Sequence, residues 1–275
     1  MRERAQNAWP LGCQARPWLQ ALGPEVFSVR LATVMTEIAS IGYTGFETAL
    51  ARLPLDDPDR FVRDREAAQG LTLIGAHVGV PWWNPTAADA ISEIVAQAAQ
   101  LPALGCTRLV VSCGAAIPTP ATEEHLETCT RNLSTLGQAC RSVGVRIVYH
   151  NHAWEIADDA HVIAAIVARC APDDIMLGSD LGWVAHAGMP VAVFLERFAA
   201  RIAYLHVRDV TADGGFTEIG RGILDHHALL QLLDAIGYRG WLTAESEFNA
   251  LWRGQSDPVA TATAQLAGLR AVRDA

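Results

Sequence analysis

The sequence predicts an α/β fold, a closed TIM (β/α)8 barrel, and two observations lead to this prediction. Short apolar runs rich in Val, Ile and Leu alternate with longer stretches whose apolar residues recur at helical spacing. Eight such runs occur along the chain, and eight parallel strands covered by helices close into a barrel. Because no Ser/Gly/Pro-rich linker or charged block interrupts the chain, we expect residues 1–275 to form a single domain.

The expected barrel strands are Leu11–Ala15, Gly45–Ala49, Leu71–His77, Thr107–Ser112, Val145–His150, Ile175–Asp180, Ile202–Val207 and Trp241–Glu245. Helices are expected between them, among others at Ala87–Leu104, Glu123–Val143, Pro190–Ala200 and His226–Ile236. Several of these helical stretches end in Gly, which commonly caps helix C-termini. An open doubly wound sheet is the alternative, but its GxGxxG turn is missing after the first strand, and the GxG at 220–222 comes too late.

The basic residues exclude several classes of enzyme. All 21 are arginine, and the sequence contains no lysine. This excludes Schiff-base aldolases, pyridoxal-phosphate enzymes anchored through lysine and Walker-type nucleotide loops, since each needs an amine. The net charge of -9 argues against nucleic acid as the main partner, because affinity for a phosphate backbone comes from clustered cations.

The N-terminal sequence and the cysteines indicate the cellular compartment in which the protein is expected. The N-terminal stretch MRERAQNAWPLG lacks the apolar segment of a secretory signal, and the apolar runs are too short to span a membrane. The six cysteines form no CxxC pair, which is typical of reduced, buried thiols without a catalytic role. We therefore expect a cytoplasmic protein with no membrane partner.

Side chains that commonly bind metals stand at the ends of five predicted strands: His77, His150, His152, Asp180, His206, Glu245 and Glu247. Active sites of such barrels lie at the carboxyl ends of the strands. His150, Asp180, His206 and Glu245 are spaced by about one βα unit each, so four consecutive strands offer one ligand to a common point. His152 shares the inward face with His150 and is the alternative ligand. Imidazole and carboxylate together favour one divalent Mn, Zn, Fe or Co ion over Ca or Mg.

Seven motifs, in this order, resemble those of the sugar phosphate isomerase/epimerase group, which has the xylose-isomerase-like barrel: IGYTGFE (41–47), GAHVG (75–79), YHNHAWE (149–155), SDLGWVAHAG (179–188), RIAYLHVRD (201–209), EIGRGILD (218–225) and GYRGWLTAESE (237–247). The similarity begins at about Leu11 and covers nearly the whole chain. The group also includes inosose dehydratases, dehydroshikimate dehydratases and, more distantly, endonuclease IV.

The resemblance implies that Asp180, His206 and Glu245 are metal ligands. Ketose epimerases of the group carry a glutamate on the fifth strand that is both a ligand and an acid/base, whereas this chain has His150 there. The YHNH pattern is nearer to the inosose dehydratase branch. A symmetric mechanism with two glutamates is therefore not expected to apply unchanged.

A divalent ion chelated by a keto-polyol acidifies the neighbouring C–H by stabilising the enediolate. The first hypothesis is an isomerase or epimerase of a keto-sugar or sugar derivative. The alternative, nearly equal to it, is a dehydratase or lyase acting on a keto-inositol (inosose) or keto-glycoside. Two further hypotheses carry less weight: an abasic-site endonuclease, which would need a basic groove, and a metal-free sugar-binding barrel.

Glu245 is the candidate base, and Glu155 and Glu247 are candidates for the second acid/base role. An exposed loop carboxylate is the alternative for Glu155. Candidate substrate-binding residues are His77, His152, Arg208, Trp82, Trp183 and Glu47. Glu47 could orient a ligand or the substrate, with a salt bridge as the alternative. Structural roles also remain open for Arg208, as an ion pair, and for the tryptophans, as core or lid packing. The expected partner is a small sugar or polyol, and the resemblance suggests a homodimer or homotetramer.

Overall fold

Eight strands lie side by side in a closed parallel barrel in a computed structural model that describes residues 9–118 and 121–273. The strands, including two short ones outside the barrel, are β1 Leu11–Gln14, β2 Gly45–Ala49, β3 Thr72–Gly79, β4 Arg108–Ser112, β5 Arg146–His150, β6 Ile175–Asp180, β7 Ile202–Val207, β8 Asp209–Val210, β9 Phe216–Thr217 and β10 Leu242–Ala244. The order of the strands around the barrel is β1-β10-β7-β6-β5-β4-β3-β2. The predicted barrel is confirmed, and the open sheet is excluded.

Helices surround the barrel, as parallel strands buried on both faces require. They are α1 Arg16–Leu22, α2 Pro24–Val29, α3 Leu31–Ile41, α4 Pro58–Ala67, α5 Ile91–Ala98, α6 Glu123–Ser142, α7 Ala153–Arg169, α8 Leu181–His186, α9 Val191–Phe198, α10 His226–Ala235 and α11 Pro258–Arg273. Most of the core lies between strands and helices. A second apolar cluster, formed by Ile74, Val110, Val148 and Tyr204, comes from strands alone and fills the barrel interior.

Strand register places the polar strand ends at one level. Ser112 pairs with His150 across β4 and β5, and Asp180 pairs with His206 across β6 and β7. Because all eight strands are parallel, their carboxyl ends lie at the same end of the barrel, and the side chains after them converge there.

The predicted helix at Ala87–Leu104 is wrong as a single element. The structure divides this stretch into a 3-10 turn at Pro85–Ala90, helix α5 and a second 3-10 turn at Leu101–Leu104. Pro102 has no amide hydrogen to donate and disfavours helical backbone at the residue before it, so the helix ends early. The antiparallel pair β8 and β9 was not predicted, because two-residue strands carry no detectable period.

Helix α7 contains a break. Asp158, Asp159 and Ala160 have left-handed backbone, with φ of 51°, 58° and 56°. Arg197 donates to the carbonyl and to the carboxylate of Asp159, both at 2.9 Å, and so holds this turn. Left-handed backbone costs residues that have a Cβ atom about 1–2 kcal/mol each in conformational free energy.

The remaining expectations concern the cysteines, membrane-spanning helices and a secretory signal. The six cysteines are free and buried. Among the described residues, no helix combines the length and the apolar character that crossing a bilayer requires. The prediction that no secretory signal is present falls mainly on residues 1–8, which lie outside the described residues.

Candidate active site

Four side chains converge at the carboxyl ends of four strands. His150 and Asp180 are the last residues of β5 and β6, His206 lies near the end of β7, and Glu245 follows β10 directly. One ligand atom from each residue lies within 4.8 Å of all the others, and all four residues are buried. His152 is not part of this group, so the geometry favours His150 over His152 as the fifth-strand ligand. We call these four residues the centre.

The unpaired atoms of the centre fit a divalent metal ion. Nδ1 of His206 contacts Oε2 of Glu245 at 2.5 Å, and among the described residues neither atom has a further partner, while Nδ1 of His150 is buried without a hydrogen bond. Buried polar atoms without partners are costly, and native structures contain few of them. Ligand atoms from four buried side chains that lie this close together are typical of metal sites. Two nitrogens and two oxygens form a donor set that suits Mn, Zn, Fe or Co.

Glu47 lies behind His206, away from the gap. Its Oε2 atom accepts hydrogen bonds from Nε2 of His206 and from the hydroxyl of Tyr204, both at 2.8 Å. The Thr243 hydroxyl donates in turn to the Tyr204 oxygen at 2.8 Å. Burial alone would raise the pKa of Glu47, but His206 outweighs burial and lowers it. A direct substrate contact is therefore not supported for Glu47, which contacts the predicted ligand His206 instead.

Arg208 links the two carboxylates of the centre. Its Nη2 lies 2.5 Å from Oδ2 of Asp180 and 3.7 Å from Oε1 of Glu245. The guanidinium carbon lies 3.9 Å from the centre of the Phe216 ring and 4.9 Å from that of Trp183. The ion-pair alternative for Arg208 is therefore what the structure contains. Its Nη1 makes no hydrogen bond among the described residues.

Hydrogen bonds hold both the side chain and the backbone of Asp180. Its Oδ1 accepts from the Trp183 amide at 3.0 Å and caps helix α8, while Asn151 binds the backbone of Asp180 on both sides. Burial raises the pKa of Asp180 to about 6, although Arg208 opposes this shift. Burial would also raise the pKa of Glu245, but Arg208 and His206 outweigh it and hold that pKa well below its usual value.

Glu155 is fully buried, which contradicts the reading of an exposed loop carboxylate. Its Oε1 accepts from the Tyr149 hydroxyl at 2.7 Å, and its Oε2 accepts from the His152 amide at 2.5 Å. Both oxygens are thus occupied at the start of α7, so direct acid/base chemistry by Glu155 is not supported. Oε2 also lies 3.6 Å from Nδ1 of His152. Burial lowers the pKa of His152, but Glu155 outweighs burial and raises it.

Glu247 does not lie on a strand face with Glu245. Strand β10 ends at Ala244, so the alternation of strand side chains no longer applies at position 247. Glu247 instead forms an ion pair with Arg16, which follows β1. The role predicted for Glu247 as second acid/base is therefore not supported by its position.

Three predicted substrate contacts differ in exposure. Trp82 is fully buried, and its indole N–H donates to the Ser112 carbonyl at 3.0 Å, so it presents no face to a ligand. Trp183 is half-buried, with its ring 5.6 Å from that of His152. His77 lies 5.6 Å from His150 and shares a 3.0 Å hydrogen bond with Ser112. Burial lowers the pKa of His77 to about 4, so its imidazole is neutral.

Sequence reasoning missed Tyr204, Thr243, Asn151 and Ser112. Tyr204 had a signal, because it precedes His206 by two residues and therefore shares its strand face. For Glu47 the sequence predicts a role in orienting a ligand or the substrate, and the structure identifies its partner as His206, 159 residues away in the chain.

Fold and site together define a class, the (β/α)8 barrels with a two-histidine, two-carboxylate centre at the carboxyl ends of their strands. The profile of the xylose isomerase-like TIM barrel family matches residues 35–271, and the chain belongs to this family.

Two relatives by sequence are inosose dehydratases. The chain is 26% identical over 246 residues to that of Geobacillus kaustophilus strain HTA426, an alignment that covers 78% of this chain and 79% of the relative. It is 24% identical over 279 residues to that of Geobacillus thermodenitrificans strain NG80-2, with coverage of 88% and 91%.

Solved structures with the same fold include sugar epimerases. L-ribulose 3-epimerase superposes with a TM-score of 0.76 at 20% identity, covering 97% of this chain and 96% of that one. The 3-keto-D-glucoside 4-epimerase of E. coli superposes with a TM-score of 0.73 at 20% identity, covering 96% and 100%. The fold of this chain is therefore shared with sugar epimerases.

Proposed function

We propose that this chain is a divalent-metal-dependent lyase that removes water from a keto-polyol, of the inosose or keto-glycoside type. The main support is the kind of side chain on the fifth-strand side of the centre. On the fifth-strand side, His150 of the centre and the neighbouring His152 place imidazoles where a symmetric epimerase mechanism needs a second carboxylate. Glu155 and Glu247 do not supply that carboxylate, since each is bound elsewhere. The relatives by sequence that are inosose dehydratases support the same choice.

Dehydration next to a carbonyl needs a base for the C–H proton and an acid for the departing hydroxyl. When bound by the centre, the ion would polarise the substrate carbonyl and so acidify the neighbouring C–H. Glu245 is the proposed base and takes that proton on its carboxylate. A C=C bond forms as the adjacent C–O bond breaks, and His152 gives a proton to the hydroxyl, which leaves as water.

The other side chains hold this arrangement in place. Arg208 keeps Asp180 and Glu245 ionised and in position. Glu155 holds His152 at the start of α7. The half-buried Trp183 lies beside His152 and offers an apolar face for a polyol ring.

Epimerisation or isomerisation of a keto-sugar is the second candidate, since it shares the proton abstraction by Glu245. This reaction would need an imidazole in the role of the second carboxylate, and the ring of His152 lies 5.1 Å from that of His150. An imidazole on this side of the centre would return the proton to the opposite face.

Elemental analysis of the purified protein, followed by a panel of inososes, 3-keto sugars and ketoses, tests the proposal. We expect bound transition metal, loss of activity with a chelator and a new ultraviolet-absorbing enone or diketone. Incorporation of solvent deuterium without loss of water would instead support the second candidate. A protein that purifies without metal, and whose ligand binding ignores chelator, would contradict both.

Glu245→Gln is expected to reduce turnover by about 10²–10⁴-fold while the far-ultraviolet circular dichroism stays unchanged. The matched control is Glu37→Gln on α3, where the carboxylate accepts a hydrogen bond from the indole of Trp18. Glu37→Gln removes the same charge outside the centre and should keep wild-type activity. Equal turnover by wild type and Glu245→Gln would rule out Glu245 as the base.

A further inference from the structure

Three buried groups form a chain of hydrogen bonds behind His206. We infer that Glu47, Tyr204 and Thr243, here called the Glu47 relay, are positioning residues that fix the orientation and tautomer of His206 as a metal ligand. The inference rests on the proposed function, because it assigns a role toward the ion of the proposed centre.

The donors and acceptors of the relay have one consistent assignment. A carboxylate only accepts, so the proton between Glu47 and His206 belongs to Nε2 of the imidazole. The Tyr204 hydroxyl accepts from Thr243 and therefore directs its own proton to Glu47. With the Nε2 proton held by Glu47, Nδ1 is the atom whose lone pair a neutral His206 would offer to an ion. That atom faces Oε2 of Glu245 at 2.5 Å, inside the centre.

The relay is anchored in the rigid part of the barrel. Glu47 comes from β2, Tyr204 from β7 and Thr243 from β10, and all three are fully buried. The Tyr204 ring belongs to the apolar cluster of the barrel interior, and the Arg108 guanidinium lies 4.7 Å from its centre. Since these contacts fix the tyrosine, its hydroxyl fixes Glu47, and Glu47 fixes the plane of the imidazole.

Placement alone would not need these polar groups, since an apolar side chain would fill the same space without burying a charge. A carboxylate behind a histidine ligand, however, sets its tautomer and raises its basicity, and loss of such a partner typically weakens metal affinity by about 10–100-fold. Glu47→Gln is expected to fall in this range. Tyr204→Phe keeps the ring and its packing, so about tenfold weakening is expected.

The matched control is Tyr43→Phe. The Tyr43 hydroxyl is also buried and donates to the Ala262 carbonyl at 2.9 Å, but it lies outside the relay. Tyr43→Phe therefore loses a buried hydroxyl of the same kind and should bind metal like the wild type. If Glu47→Gln fails to fold, Tyr204→Phe and Thr243→Val still test the inference.

Zinc affinity is measured by competition with a chromophoric chelator, and the proton on Nε2 of His206 is followed by ¹⁵N-histidine NMR of the zinc-loaded protein. We expect weaker affinity and a shifted Nε2–H signal in Glu47→Gln and Tyr204→Phe, with both unchanged in Tyr43→Phe. Wild-type affinity and signal in the relay variants would overturn the inference and leave the proposed function standing. A wild-type protein that binds no divalent metal would overturn both.

Discussion

Arg208 is an arginine without exposed surface, and its neighbours explain how a full charge is accommodated there. Asp180 and Glu245 supply opposite charge on one side, and the rings of Phe216 and Trp183 cover the guanidinium on the other. Burial would lower the pKa of Arg208, but the two carboxylates outweigh burial and raise it. Arg208 and Asp180 each stabilise the other in the core, because either one alone would be a buried unpaired charge.

Arg208→Met is expected to lower the free energy of unfolding by about 3–5 kcal/mol, since Asp180 is then left unpaired in the core. Urea denaturation of the metal-free protein measures it. Arg60→Met is the control, because Arg60 pairs with Asp64 on the surface of α4, and such surface pairs contribute only about 0–1 kcal/mol. Equal losses in the two variants would mean that the buried pair carries no special stability.

Some residues of the site could be placed from the sequence and others could not. The convergence of His150, Asp180, His206 and Glu245 followed from strand ends alone, because parallel strands share one carboxyl edge. Glu155 and Glu247 could not be placed in this way, since both follow a strand and the alternation of faces no longer applies there. Their partners, Tyr149 and Arg16, depend on loop geometry that the sequence pattern does not contain.

At the scale of elements, the barrel strands were predictable because strands buried on both faces are continuous apolar runs. Helix α6 was predictable as well, since its apolar spacing and its Thr122 cap mark it clearly. The stretch around α5 was not, because local proline geometry overrides its periodicity. The sequence pattern also does not show how closely two elements approach each other. The close approach at Gly137 of α6 is an example.

Gly137→Ala is expected to destabilise the fold by about 1–3 kcal/mol, as overpacking does. A Cβ atom at this position would lie 2.2 Å from the Asp174 carbonyl oxygen, which belongs to backbone and cannot easily move. Thr135→Ala, on the exposed side of the same helix, should change stability by less than about 0.5 kcal/mol. The denaturant midpoints of the two variants measure these changes in stability. A Gly137→Ala variant as stable as the wild type would show that α6 can shift to accommodate the Cβ atom.

For the whole molecule, metal binding and folding should be linked, because the centre takes ligands from β5, β6, β7 and the end of β10 and exists only in the folded barrel. Metal at about 100 times its Kd is expected to add about 2.7 kcal/mol to the free energy of unfolding. Each kcal/mol corresponds to about 2–4 °C in Tm for a chain of this size. Scanning calorimetry with metal, then with excess chelator, measures the difference.

The Glu245→Gln variant should lose most of this increment, while Glu37→Gln should keep it. Identical Tm values for the wild type in metal and in chelator would contradict a site that belongs to the native state alone.

The ring of strands closes where β1 pairs with β10, the first strand with the last. Until β10 docks, Glu245 is absent from its place and the other three ligands form an incomplete set. Capture of a coloured ion such as cobalt would then report the final stage of assembly, and a chain still lacking its last segment on the ribosome would stay colourless.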